Sequence, residues 1–190
     1  MRRYIKRSII VLCAIACRLG VQAQTETLPD STDQRFVDMA VSSNRFEVAA
    51  GSQALERSDD AAVKQFGQML VTDHAKVLDE LEKAAVAKKL VIPDAMNESH
   101  AAILKSMGEL SGNDFNKAFK EVMIKSHEDA IALFEQAARG SNDPELRSWA
   151  AGKIPSLKNH LEQAKALPVS GGTADRPTTS PRVDSVKTLK

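Results

Sequence analysis

Phe36, Ala40, Ser43, Glu47, Ala50 and Ala54 follow one another at alternating intervals of four and three residues. That spacing puts all six on one stripe of an α-helix, because it straddles the 3.6-residue turn. A strand, whose faces alternate at every residue, would scatter them. The same period returns three more times. It runs through Val63, Phe66, Leu70, His74, Val77, Leu81 and Ala84, and through Phe119, Met123, His127, Ala130, Phe134 and Ala137. It then runs through Leu146, Trp149, Lys153 or Ile154, Leu157, His160, Ala164 and Leu167. A shorter stretch, with Ile103, Met107 and Leu110 facing inward, lies between the second and third of these. Aromatic residues make up only 4% of the chain while Ala, Leu, Lys and Glu are plentiful. Such side chains lose little freedom in a helix, so composition and period agree.

The breaks between the periodic stretches carry their own chemistry. Ser58-Asp59 interrupts the first and caps the second. An apolar connection from Leu90 ends at Pro93, and Ser111-Gly112-Asn113 is a turn. Gly140 fits a helix end, and Ser141-Asn142-Asp143-Pro144 fits a cap followed by proline in the first turn. These signals predict helices over 32–57, from the Ser58-Asp59 cap to residue 88, over 94–110 and 114–139, and from Pro144 to residue 167. Pro155 falls inside the last, where it should kink the helix and free the Ala151 carbonyl. Four long amphipathic helices and one short one predict an all-α four-helix bundle with a short extra crossover helix.

The ends of the chain differ from this middle. Arg2, Arg3, Lys6 and Arg7 precede an apolar run from Ser8 to Cys17 that is too short to span a bilayer, and Val21-Gln22-Ala23 offers small residues for cleavage before Gln24. Residues 1–23 therefore read as a signal peptide, with a retained membrane anchor or acylation of Cys17 as the alternatives. Residues 24–31 are a polar lead-in, 32–167 the bundle domain, and 168–190 a disordered tail rich in Gly, Thr, Ser and Pro. The protein is thus expected to be exported and periplasmic, without a stable transmembrane anchor, association with the outer membrane being the variant of this reading. Both cysteines, Cys13 and Cys17, fall in the first segment, so the remainder has no disulfide or thiolate site and must rely on packing. From residue 24 onward, 21 Lys and Arg stand against 25 Asp and Glu, a balance of −4. A mildly acidic chain lacks the phosphate-neutralising surface that nucleic-acid binding requires. No motif names a protein partner.

Each long helix carries one ligand-capable residue on its apolar stripe: Glu47, His74, His127 and His160. Counting from the turns at ~1.5 Å per residue puts all four near mid-bundle, with a difference of roughly 6 Å within each hairpin. Three imidazoles and a carboxylate suit zinc, copper, iron or manganese. The competing reading is a buried polar network without metal, in which one histidine donates to Glu47 and others bond backbone carbonyls, including the one freed near Pro155. Asp73 is expected on a solvated helix flank, with support of a histidine as its alternative role. His100 reads as peripheral packing, and Met39, Met69, Met107 and Met123 as core filling. Glu-x-x-His, Cys-x-x-Cys-His, phosphate loops and nucleophile elbows are absent, which argues against di-iron chemistry and covalent haem c and leaves an enzyme the least supported reading.

The chain resembles a ferritin-like family of exported bacterial proteins, domain of unknown function 4142, some of whose members are labelled outer membrane proteins. Phe46-Glu47-Val48, Val63-Lys64-Gln65-Phe66, Met69 to His74, Asp114-Phe115, His127 with Ala130 to Phe134, Ile154 to Leu157 and His160-Leu161 carry the resemblance. It implies a ferritin-like bundle and strengthens the metal reading without importing a reaction. The chain departs from the family pattern at Asn116, Phe119 and Ser126, where Asp, Tyr and Asp are usual. The expected function is therefore an exported bundle binding a metal ion through Glu47, His74, His127 and His160. The alternative is a non-enzymatic structural or stress-related envelope protein with a buried polar network. Either reading expects histidines held neutral, hence stability that falls as pH drops below ~6.5.

Overall fold

The computed structural model describes residues 32–169. Residues 1–23, read as a signal peptide, the lead-in before Thr32, and the segment beyond residue 169 lie outside the described residues. The described residues form five helices and no strand: α1 Thr32–Arg57, α2 Ala61–Ala87, α3 Glu98–Gly108, α4 Gly112–Gly140 and α5 Pro144–Ala166. None of them is long and apolar enough to cross a membrane.

The first helix coincides with the stretch its period predicts; the others differ at their ends. Asp60, not Ser58-Asp59, caps α2, accepting from the Ala62 and Val63 amides, while the Ser58 hydroxyl accepts from the Asp60 amide and fixes the turn. α3 is shorter than predicted, because Asn97 accepts from the His100 amide and starts the helix there. α5 begins as predicted, with Asp143 as cap and Pro144 in the first turn, and continues through Pro155. The Ala151 carbonyl belongs to an exposed residue, and His160 pairs instead with Asp73 and Ser156.

α1 packs along α2 and α4 along α5, giving two antiparallel hairpins. The hairpins join mainly through α1 and α4, and α3 crosses that seam, leaning on α1 more than on α4. α2 and α5 stand furthest apart of the neighbouring helices. α1 and α2 come close at Gly51 and Gly67: a Cβ on Gly51 would lie 2.5 Å from the Gly67 carbonyl oxygen, and one on Gly67 2.7 Å from the Ala54 Cβ. Only hydrogen at both positions lets these backbones touch.

The core has two apolar layers. Phe36, Val37, Val41, Leu81, Phe134 and Leu146 anchor one, and Phe46, Phe66, Leu70, Phe115, Phe119 and Met123 the other. Between them lie Asn44, Glu47, His74, His127 and His160, all buried. Ile103, expected to face inward, is instead 38% exposed, because α3 stands off from α4.

Candidate metal centre

The apolar stripes carry the four polar residues inward, and the close α1–α2 hairpin brings Glu47 against His74. The His74 Nδ1 lies 3.0 Å from Glu47 Oε2 and 2.9 Å from Asn44 Oδ1. Asn44 uses its amide nitrogen on the Ala40 carbonyl, so its oxygen faces the ring. Glu47 Oε1 accepts from the Ser126 hydroxyl at 2.8 Å and lies 3.7 Å from His127 Nδ1. His127 Nδ1 lies 2.8 Å from the Met123 carbonyl of its own helix. His160 Nε2 lies 3.0 Å from Asp73 Oδ2, with Ser156 Oγ at 3.5 Å.

Every strong partner of these rings is an acceptor. Each neutral imidazole therefore places its single proton on the outward nitrogen, Nδ1 in His74 and His127 and Nε2 in His160. The other nitrogen of each ring, His74 Nε2, His127 Nε2 and His160 Nδ1, is buried and has no hydrogen-bond partner. The rings form a near-equilateral triangle, with centroids 5.3, 5.5 and 5.7 Å apart and planes inclined at 63–75°. Among the described residues these three form the one group of His, Cys, Asp or Glu set to hold a metal ion, one ring nitrogen of each lying within 4.8 Å of the others. Zinc–imidazole bonds of about 2.0–2.1 Å imply donor separations of ~3.3 Å, so closing on an ion asks for roughly 1 Å of ring movement.

Burial alone would raise the Glu47 pKa, but His74 and His127 beside it, with hydrogen bonds from His74 and Ser126, hold it at about 2. Burial likewise opposes a charge on His74, yet Glu47 and then Asp73 raise its pKa above the usual 6.5. His160 is lowered, first by burial and then by the neighbouring histidines, against the pull of Asp73. The expectation that all these histidines are held neutral thus meets His160 but not His74, which has an ionised carboxylate at its back.

All four predicted residues meet at mid-bundle. Glu47 stands behind His74, on the side away from the free nitrogen, and is not in the group of converging donors. Asp73, expected on a solvated flank, is half exposed yet bonds His160. Two residues escaped the sequence reading. Asn44 lies one helical turn before Glu47, and that i, i+3 spacing was the available signal. Ser126 was noted only as a departure from a family pattern, and its hydroxyl holds the carboxylate. A cleft of about 220 Å³ between α2 and α5, lined by Asp73, His74, Lys76, Glu80, Lys153 and His160, leads from solvent to the cluster. A Glu80–Lys153 ion pair crosses between the two helices there.

Fold and site together define a class: an all-α bundle whose apolar core is divided by a buried layer of three histidines backed by carboxylates. The family model for "Domain of unknown function (DUF4142)" matches residues 19–167, and the chain belongs to that family. No curated protein matches it. Solved structures with the same fold include a DUF305 protein from Streptomyces coelicolor, at 14% identity and TM-score 0.61 over 71% of this chain and 90% of that one. A DUF305 fragment from Deinococcus radiodurans aligns at 15% identity and TM-score 0.62, over 70% and 93% of the two chains. CopM in its Cu(II)-bound form aligns at 19% identity and TM-score 0.60, again over 70% and 93%.

Proposed function

We propose that this bundle binds one transition-metal ion through His74 Nε2, His127 Nε2 and His160 Nδ1. The observation that carries the reading is that three buried imidazoles, each with one ring nitrogen that has no hydrogen-bond partner and an acceptor behind the other, bring a ligand atom each to within 4.8 Å of one another. With these rings neutral, each offers a cation the lone pair of its inner nitrogen. Glu47 and Asp73 serve as the carboxylates behind His74 and His160, an arrangement that orients a metal-bound ring and raises its basicity. Two carboxylates also balance a divalent charge. Imidazole donors suit copper and zinc, and CopM, which shares the fold, was crystallised with Cu(II), Cu(I) and Ag. Copper is therefore the first ion to test, with zinc beside it. The α2–α5 cleft, lined by His74 and His160, would give an ion access to the site.

The reading includes no reaction. It places the protein outside the cytoplasm, in keeping with its basic and apolar N-terminal segment and with the Streptomyces coelicolor neighbour, provisionally described as secreted. The test is elemental analysis and copper titration of protein purified without chelator or histidine tag, beside a His74→Ala/His127→Ala variant. One ion per chain in the first and none in the second is the expected result. No ion in either, with no saturable copper or zinc binding, would leave a polar network that only sets helix register.

A further inference from the structure

A second cavity is separate from the cleft that reaches the histidines. It lies on the opposite side of Glu47, between α1, α3 and α4, and measures about 450 Å³. It exists because α3 leans on α1 and stands off from α4. Its walls are mainly apolar: Met39, Phe46, Ile103, Val122, Ala130 and Leu133. Two of the exposed large apolar side chains of the described residues, Met39 and Ile103, sit on its rim. Water gains little from such walls, and a volume of this size falls within the ~300–1,000 Å³ of small-molecule pockets.

We propose that this cavity binds a neutral, mainly apolar small molecule with one hydrogen-bonding group such as a hydroxyl or carbonyl. Apart from the exposed Glu121, Lys125 and Asp129, the polar side chains that line it are Ser43, Ser126 and His100. The hydroxyls of Ser43 and Ser126 line it, Ser126 with its proton committed to Glu47. The ring of His100 lies stacked on Phe46 at 4.9 Å, its Nδ1 tied to the Ser42 hydroxyl at 2.6 Å, which leaves Nε2 for a ligand. At the mouth Lys125 is paired with Asp129, and Glu121 is exposed in solvent. An anion would meet two carboxylates and one cation already engaged, and a buried cation would find no free partner inside. A peptide strand would leave its backbone groups unsatisfied against apolar walls. The pocket stands whether or not the histidines hold metal, because it shares with them only the Ser126–Glu47 bond.

The test uses the neutral, environment-sensitive fluorophore N-phenyl-1-naphthylamine with the purified protein. Saturable binding near one probe per chain is expected, with displacement by octanol and not by octanoate. Val122→Trp, which fills the cavity, should weaken binding about tenfold or more, while Val77→Trp, in the other cleft, should leave it unchanged. Ile103→Trp on the partly exposed rim supplies the same obstruction if Val122→Trp does not fold. Absence of saturable binding, undiminished binding in a folded, obstructed variant, or equal displacement by octanoate would overturn the proposal. So would a probe signal lost as the chain associates with itself in sedimentation, which would assign the cavity to a second copy.

Discussion

Glu47 shows how much one buried side chain can organise. It is 1% exposed, and its two oxygens tie α1 to two other long helices, α2 through His74 and α4 through Ser126 and His127. A buried carboxylate survives such burial only when its lone pairs are engaged, and here they are. Glu47→Gln keeps the shape and removes the charge. On the proposed function it should weaken copper or zinc binding about 10–100-fold, the usual cost of losing a carboxylate behind a metal-bound histidine. Competition with a chelating dye measures this, and an affinity equal to wild type would mean that Glu47 does not act through His74. The same substitution should bring the His74 pKa down, which the shift of its ring proton resonances with pH would report.

At the scale of elements, the hairpin of α1 and α2 depends on the absence of side chains at Gly51 and Gly67. Gly67→Ala would press a methyl onto the Ala54 Cβ and the Gly51 carbonyl, at 2.7 and 2.8 Å. Neither contact is the far end of a flexible chain, so the helices must part. Overpacking of this kind costs about 1–3 kcal/mol, which a urea melt would resolve. Parting α1 from α2 also draws His74 away from Glu47, so metal affinity should fall with stability. A Gly67→Ala protein as stable as wild type would show that the hairpin adjusts freely. The opposite face of the bundle is built differently: α2 and α5 barely meet, and that gap is the way in to His74 and His160.

For the whole metal-free molecule, pH acts through groups of opposite sign. Glu47 is lowered from 4.5 to about 2, so its contribution is complete above pH 4.5 and lost as pH falls from there toward 2. His160 and His100 are lowered below 6.5, first by burial in both cases, and their effect is a loss of stability as pH falls below 6.5. His74 is raised above 6.5, so its contribution is present below 6.5 and is lost as pH rises through its folded value. The His100→Gln/His160→Gln protein should therefore gain in Tm as pH falls toward 6.5 from above, while His74→Gln should lose Tm as pH falls below 6.5. Thermal melts across that range check both slopes. A His74→Gln protein whose Tm is flat below 6.5 would mean that His160 and His100 are not held neutral.

Much of this was legible in the chain. The stripe through Phe36, Ala40, Glu47 and Ala54 runs along α1, and the same period places His74, His127 and His160 on inward faces, because burial selects one side of a helix and the sequence records that selection. What it does not record is the rotation and spacing of helices against one another. That decided that Glu47 lies against the His74 Nδ1, that Asp73 reaches His160, and that Asn44 and Ser126 bond His74 and Glu47. It also left Ile103 on the rim of a cavity instead of in the core. These are contacts between residues about 27 to 87 positions apart, set by packing at the Gly51–Gly67 crossing and by the stand-off of α3, which no local period contains.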